Sequence, residues 1–187
     1  MLVFIETMKI VLMCALILGL SASSLAASEC LPHWKPRKLY GIRLDMSLKQ
    51  VRARFPHLKA SRPNKFRVQD SFFYLVGRQR ARYNIPRSVF AIEMLFLRGR
   101  LVCYQVKYYD SQRWKNMDAF VSSMTKPLGI TEIPSIESRP FPSYVCNDIE
   151  VSFWEDSSKS ITFLDRRAKP ILDEMIEESY RNAGLHD

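Results

Sequence analysis

The sequence from Val89 to Tyr109 is VFAIEMLFLRGRLVCYQVKYY, two runs rich in β-branched and aromatic residues around Leu97-Arg98-Gly99. This pattern predicts a β-hairpin, because such residues favour strands and glycine enters a left-handed turn without strain. If Leu97-Arg98-Gly99 is a three-residue loop with Gly99 in a bulge, the alternating apolar residues share one buried face. The opposite face, which includes Ala91 and Glu93, is predicted to be mixed and half exposed. The residues predicted to share the buried face are Phe90, Ile92, Met94, Phe96, Val102, Tyr104, Val106 and Tyr108.

The rest of the chain predicts an α+β fold, in which an antiparallel sheet built from hairpins carries two or three amphipathic helices on one face. Ser47 begins the first helix, since Gln50 follows at the spacing of a capping box. Asn116 and Pro170 begin two later segments with apolar residues at helical spacing. We expect a single domain over residues 27–187. An internal duplication into half-units of about 40–109 and 110–187 is an open alternative.

Residues 1–26 have the features of a secretory signal peptide. An apolar run from Ile10 to Leu20 follows Lys9 and precedes small residues, and Ser24-Leu25-Ala26 fits the small-x-small cleavage rule. The run is too short for the ~20 residues that a membrane-spanning helix needs. We therefore expect cleavage near Ala26, a periplasmic or secreted location, and no transmembrane segment in the mature chain.

Export would decide the chemistry of the cysteines. Cleavage removes Cys14 and leaves Cys30, Cys103 and Cys146, which in an oxidising compartment allow three pairings and one free thiol. We predict a Cys103–Cys146 disulfide with Cys30 free, because Cys30 lies beside the new N-terminus, where chains tend to fray. Paired C-x-x-C motifs are absent from the sequence, so neither a zinc site nor another cofactor is predicted.

Positive charge is concentrated in the first half of the chain. Residues 35–107 contain 18 Lys and Arg against 3 acidic residues, whereas residues 108–187 contain 9 basic and 14 acidic residues. This division favours a polyanionic partner or head-to-tail self-association. Solubility alone explains the net charge but not its division. A third interpretation is that the two halves interleave in space.

The segment from Gly77 to Arg87, GRQRARYNIPR, contains no acidic residue and is predicted to be a mobile basic loop. Arginines interleaved with an aromatic residue can grip nucleic acid. An exported protein more often meets anionic lipid, lipopolysaccharide or an acidic protein surface, so nucleic acid is the less favoured partner. The candidate binding residues are Arg78, Arg80, Arg82, Tyr83 and Arg87.

The motif Gly41-Ile42-x-Leu44-x-Met46-Ser47-x-x-x-Val51 resembles the G-x-x-L-G-M-[ST]-x-x-x-V opening of small exported domains. These include the SmpA/OmlA outer-membrane assembly lipoproteins and the β-lactamase-inhibitor-protein-like fold that they share. The resemblance implies a strand that leads into the first helix of a helix-plus-sheet unit. Asp45 stands where those families have glycine, and their lipobox cysteine is missing. The match covers about a dozen residues and bears on fold more than on function.

Catalytic motifs are absent from the sequence, which contains no G-x-S-x-G, no phosphate-binding glycine loop and no H-E-x-x-H. The histidines, His33, His57 and His186, are isolated from one another. The sequence therefore favours a non-enzymatic envelope binding or assembly module. The alternative is an exported hydrolase or protein inhibitor with an unrecognised site. A sheet face with exposed arginines and tyrosines would favour the binding module, and a deep pocket would favour the enzyme.

Overall fold

The computed structural model describes residues 38–74, 82–109, 114–130 and 142–183, and of Phe72 and Tyr74 only the backbone. These ranges form seven strands and three α-helices, which confirms the α+β class. The internal duplication stays a prediction. The strands are β1 (Lys59–Ala60), β2 (Val68–Tyr74), β3 (Val89–Leu97), β4 (Arg100–Tyr108), β5 (Ser143–Cys146), β6 (Ile149–Glu155) and β7 (Lys159–Asp165). The helices are α1 (Leu48–Arg54), α2 (Met117–Leu128) and α3 (Lys169–Asn182), with a 3₁₀ turn (Arg166–Ala168) before α3.

The strands form one antiparallel sheet in the order β1-β2-β3-β4-β7-β6-β5. The first four strands are neighbours in chain order. After β4 and α2 the chain continues at the far edge with β5, and β6 and β7 return to the centre. The long-range pairing of β4 with β7, from Cys103–Leu164 to Tyr108–Lys159, joins the two halves of the chain. The predicted hairpin therefore lies in the middle of the sheet.

The hairpin forms with a shorter loop than predicted. Leu97 pairs with Arg100, so the loop contains two residues, Arg98 (φ 52°) and Gly99 (φ 77°). Two successive positive φ angles are typical of a type I′ turn, whose twist matches that of the flanking strands. The left-handed Gly99 is confirmed, and the three-residue loop is wrong.

Two irregularities inside the strands change which side chains share a face. The register shifts between Leu95 and Phe96, and Leu101 therefore replaces Val102 in the main core. Val102 joins a smaller cluster on the opposite face. A second shift lies between Val89 and Ala91, so Val89 enters the core and Phe90 is only half-buried. The other six predicted residues lie in the main core as expected: Ile92, Met94, Phe96, Tyr104, Val106 and Tyr108.

Helices pack on both faces of the sheet. α1 and α2 pack on the first face, which carries the main core, as Val51 and Phe120 show. α3 packs on the second face, where Leu172 and Met175 join the smaller cluster. The prediction of a half-exposed second face is wrong, because Glu93 is only 5% exposed.

The ends of the helices follow the local sequence. The Ser47 backbone N–H donates to Gln50 Oε1 at 2.7 Å and the Gln50 N–H donates to Ser47 Oγ at 3.2 Å, which confirms the capping box. Asn116 caps α2, and Gly129 with φ 70° ends it. The segment before α1 is not a strand: Tyr40 and Gly41 have positive φ and form a turn.

The sheet separates the two described cysteines. Cys146 belongs to the core of the first face and Cys103 to the cluster of the second. Cys103 is not disulfide-bonded, so the predicted Cys103–Cys146 disulfide is wrong. Cys14, Cys30 and the predicted signal peptide lie outside the described residues.

Candidate functional site

Three of the five candidate binding residues lie within the described ranges. Arg82 and Arg87 are exposed, as a binding role requires. Tyr83 is 3% exposed, so its predicted role as a binding contact is wrong. Arg78 and Arg80 lie outside the described residues.

Tyr83 anchors its segment to the core. Its ring centroid lies 5.2 Å from that of Phe55 and 5.4 Å from that of Phe73, both in edge-on geometry. Arg54 Nη2 donates a hydrogen bond to the Tyr83 carbonyl oxygen at 2.9 Å. Ile85 is also buried. The described part of the predicted mobile loop is therefore fixed beside the end of α1, and the alternation of Tyr83 and Ile85 was the overlooked signal.

The exposed side of α1 is basic. Val51 and Phe55 are fully buried against the sheet, which leaves Lys49, Arg52 and Arg54 exposed. These three cations occupy a helix of seven residues that contains no acidic side chain. Because the apolar residues fix the rotation of the helix, the core itself directs the charges outward.

The tip of the hairpin adds two arginines at the start of α1. The Leu48 N–H donates to the Gly99 carbonyl at 3.2 Å, so the helix begins beside the tip. Arg98 and Arg100 are exposed there. Arg100 Nη1 donates to the Asp45 carbonyl at 3.1 Å and lies 3.8 Å from Asp45 Oδ1.

Three separate segments thus contribute to one surface, which we call the basic strip. α1 runs through its middle, the hairpin tip lies at its start and the Tyr83 segment lies at its end. Guanidinium groups bind phosphates and carboxylates in a two-pronged geometry that lysine lacks, so this composition suits clustered oxyanions. Of the predicted contacts within the described ranges, only Arg82 belongs to the strip. Its residues are Lys49, Arg52, Arg54, Arg82, Arg98 and Arg100.

The acidic half of the chain meets the basic half elsewhere. Lys65 forms an ion pair with Glu178 of α3, and Asn64 Nδ2 lies 3.0 Å from Met175 Sδ. α3 therefore neutralises part of the basic half from the second face of the sheet. The basic strip lies along α1, which packs on the first face. Among the described residues, the ion pair that joins the two halves lies at α3, and the strip cation Arg100 pairs with Asp45 of its own half.

A second polar feature is buried on the second face of the sheet. Glu93, Gln105, Thr162 and Ser152 are successive partners across β3, β4, β7 and β6, and we call them the polar row. Lys107 Nζ lies 2.6 Å from Glu93 Oε1, and Gln105 Nε2 donates to Ser160 Oγ at 2.9 Å. These contacts compensate the burial of charged and polar groups.

The pKa values of Tyr104 and Asp165 are shifted in the direction that favours the charge state each residue already has at neutral pH. Burial raises the pKa of Tyr104 well above its usual value, and the charge of Cys103 adds to the effect. Burial alone would raise the pKa of Asp165, but hydrogen bonds from the side chain and backbone of Arg167, with its charge, outweigh burial and lower it. Tyr104 therefore stays neutral and Asp165 ionised, and neither exchanges a proton near pH 7.

Within the described ranges, His, Cys, Asp and Glu form no group of three or more that could hold a metal ion. None of the helices that the structure describes has the length and apolar character needed to cross a membrane. No family model, curated protein or solved structure matches the chain. The resemblance to small exported domains stays a prediction.

Proposed function

We propose that this protein is an exported, non-enzymatic binding or assembly module of the cell envelope that attaches to a polyanionic component through the basic strip. One observation carries the proposal. Six exposed cations from three segments lie along α1, and Asp45 is the one carboxylate within 4 Å of a strip cation among the ion pairs of the described residues. Export rests on the features of residues 1–26, and it gives a periplasmic or secreted location.

The grouping of the cations supports a partner more strongly than net charge does. Like charges held close together repel one another, and a surface that serves only solubility usually intersperses both signs. In the strip, the fold brings Arg82 and Arg98 to opposite ends of α1, although both follow that helix by more than 25 residues in the sequence. The negative charges of an anionic partner would attract the strip cations, and this attraction would offset the repulsion among the cations.

The chemistry of the strip favours closely spaced phosphates or carboxylates. In an envelope these belong to anionic lipid, lipopolysaccharide or an acidic protein surface, and nucleic acid is the less favoured partner. Attachment of this kind is electrostatic and screened by salt. The screening length falls from ~10 Å at 0.1 M ionic strength to ~3 Å at 1 M, so affinity should fall steeply over this range.

The test is co-sedimentation of the exported protein with lipid vesicles. We expect binding to vesicles that contain an anionic lipid, weak binding to vesicles of neutral lipid, and release at 1 M salt. The strip variant combines Lys49→Ser, Arg52→Ser, Arg82→Ser and Arg98→Asn. Asparagine is chosen at position 98 because the residue has a positive φ, which asparagine tolerates. We expect this variant to lose most of the binding.

A control variant removes four positive charges from exposed positions outside the strip. It replaces Lys115, Lys126, Arg166 and Arg181 with serine. Because both variants lose the same charge, a difference between them reports the position of the charges. Equal binding by the two variants, or binding that ignores salt, would contradict the role of the strip. If the protein binds an acidic protein surface and none of the vesicles, the strip keeps its proposed role as the binding surface and the partner is a protein.

The alternative function, an exported hydrolase or protein inhibitor, stays a hypothesis to which no residues are assigned.

A further inference from the structure

Three neighbouring strand ends bring arginines together at the tip of the hairpin. Val68 at the start of β2 pairs with Leu97 at the end of β3, and Leu97 pairs with Arg100 at the start of β4. Next to these pairs, the Arg98 N–H donates to the Arg67 carbonyl oxygen at 3.0 Å. Arg67, Arg98 and Arg100 are therefore neighbours, and all three are exposed. We call them the tip arginines.

The backbone at two of the tip arginines is one that arginine rarely adopts. Arg67 and Arg98 are both left-handed, with φ of 60° and 52°. Glycine, asparagine and aspartate enter this conformation more easily, and asparagine or aspartate usually precedes the glycine of a type I′ turn. The two turns therefore do not require arginine, and asparagine would fit both with less strain. A function for the side chains accounts for arginine at both positions.

Hydrogen bonds fix the turn that carries Arg67. Asn64 Oδ1 accepts from the N–H of Phe66 at 3.0 Å and from the N–H of Val68 at 2.9 Å. The Arg67 N–H donates to the Asn64 carbonyl oxygen at 2.9 Å. Arg98 is held in a two-residue loop between paired strands. Because both backbones are already held in place, a ligand loses less of its affinity to the ordering of the chain.

The positive charge at the tip is only partly offset. Among the ion pairs of the described residues, none includes Arg67 or Arg98. Arg100 Nη1 lies 3.8 Å from Asp45 Oδ1, and both side chains are mostly exposed. Asp45 thus offsets one of the three charges of the tip arginines, and two remain.

On the basis of the proposed function, we infer that the tip arginines are the part of the binding surface that recognises a phosphate monoester. At neutral pH a phosphate monoester carries a charge of about −1.5 to −2 and presents three terminal oxygens, whereas a phosphodiester has one charge and two such oxygens. Guanidinium groups bind these oxygens in a two-pronged geometry. Three guanidiniums with two charges not offset therefore suit the monoester better. The cations of α1 attract any polyanion, and the tip arginines distinguish its phosphate groups.

The test is co-sedimentation of the exported protein with two kinds of phosphatidylcholine vesicle. One kind contains phosphatidic acid, whose headgroup is a phosphate monoester. The other contains phosphatidylglycerol, a phosphodiester, at the fraction that gives the same zeta potential. We expect about tenfold tighter binding to phosphatidic acid, because one further hydrogen bond to a charged group has roughly that effect. Equal affinity at equal surface charge overturns the inference.

Two double variants locate the preference. Arg67→Asn with Arg98→Asn removes two guanidiniums, and asparagine tolerates the positive φ of both positions. We expect this variant to bind both kinds of vesicle more weakly and with equal affinity. The matched control, Lys49→Ser with Arg52→Ser, removes two charges from α1 and should weaken both interactions by the same factor. A preference that survives in the asparagine variant, or disappears in the control, overturns the inference.

Arg67→Lys with Arg98→Lys separates guanidinium geometry from charge. The variant keeps both positive charges, so binding to phosphatidylglycerol vesicles should change little. The preference for phosphatidic acid should fall, because lysine lacks the two-pronged geometry. An unchanged preference would assign recognition to charge alone and would contradict the role of the guanidinium groups.

Inorganic phosphate, compared with chloride at constant ionic strength, identifies the source of the monoester. Release of the protein from phosphatidic acid vesicles by phosphate shows that the tip arginines also accept the free ion. Release by neither salt identifies the lipid headgroup as the ligand, and both results support the tip site. A protein that binds both kinds of vesicle equally and is released by high salt keeps the basic strip and loses only the tip site. Binding to neither kind of vesicle overturns the tip site together with attachment to lipid.

Discussion

The two faces of the sheet use alternate residues of the same strands but are stabilised differently. The first face is apolar across the width of the sheet, from β2 through β3, β4, β7 and β6 to β5, and it packs against α1 and α2. The second is apolar beneath α3 and polar along the polar row. On an apolar face, stability follows the area buried and the quality of packing. On a polar face it depends on matched partners, because a buried polar group without a partner destabilises the fold.

The largest expected effect is on the first face. Phe163 is fully buried, and its ring stacks on that of Tyr104 with centroids 4.5 Å apart. Phe163→Ala should cost about 3–5 kcal/mol of unfolding free energy, because it removes a large buried side chain and leaves a cavity. Urea unfolding monitored by circular dichroism measures the loss. The control is Phe66→Ala, since Phe66 is only partly buried beside the second cluster. Equal losses in the two variants would refute the contrast between the faces.

On the second face, the ion pair of Glu93 and Lys107 should show the dependence on matched partners. The Lys107 side chain is 22% exposed and that of Glu93 is 5% exposed. Lys107→Met removes a cation that lies 2.6 Å from a buried carboxylate and should destabilise the protein by about 1–3 kcal/mol. Adding Glu93→Gln should recover part of the loss, because the uncompensated charge is then gone. A double variant that is less stable than Lys107→Met would count against this account.

Thr162 should give a smaller effect of the opposite sign. It is 3% exposed, and within the described part of the chain its Oγ1 atom has no hydrogen-bond partner. Thr162→Val keeps the shape and removes the hydroxyl, so we expect a gain of roughly 1 kcal/mol. Its neighbour Ser160 accepts a hydrogen bond from Gln105, and Ser160→Ala should instead destabilise. A loss of stability in Thr162→Val would mean that the hydroxyl has a partner, such as a bound water or ligand.

The smallest effect concerns Asp165, which links β7 to the turn that leads into α3. Arg167 Nη2 lies 2.6 Å from Asp165 Oδ2, and this contact lowers the pKa of Asp165. Asp165→Asn should cost about 0.2–1 kcal/mol at neutral pH, because the side chain of Arg167 is mostly exposed to solvent. A lowered pKa gives stability that is present above the unfolded value of about 3.9 and is lost as pH falls through the folded value. The difference between the two proteins should therefore vanish in acid. A difference that persists at low pH would assign the effect to hydrogen bonding instead of charge.

The sequence predicted the local elements well because their signals are local. The capping box of Ser47, the caps of α2 and the strands of the hairpin all depend on residues within a few positions of one another. The hairpin loop was predicted one residue too long, because the bulge was assigned to the turn and lies inside the strands instead. Alternation alone does not locate a bulge, since either position preserves most of the pattern.

The candidate site was predicted only in part. The excess of positive charge in residues 35–107 indicated a basic surface, and Arg82 was among its predicted contacts. The sequence does not indicate the contribution of α1, because the pattern of Lys49, Arg52 and Arg54 is also that of an ordinary solvated helix face. The burial of Tyr83 was also missed, since its ring partners Phe55 and Phe73 lie at distant positions in the sequence.

The sequence by itself determined the hairpin, the positions of the helices and the unequal division of charge, because each depends on composition or on neighbouring residues. The tertiary structure alone decided that β4 pairs with β7, that α3 covers the second face, and that Cys103 and Cys146 lie on opposite sides of the sheet. It also decided that the hairpin tip, α1 and the Tyr83 segment share one surface. These outcomes join residues that are far apart in the chain, and they follow from how the elements bury their apolar faces against one another.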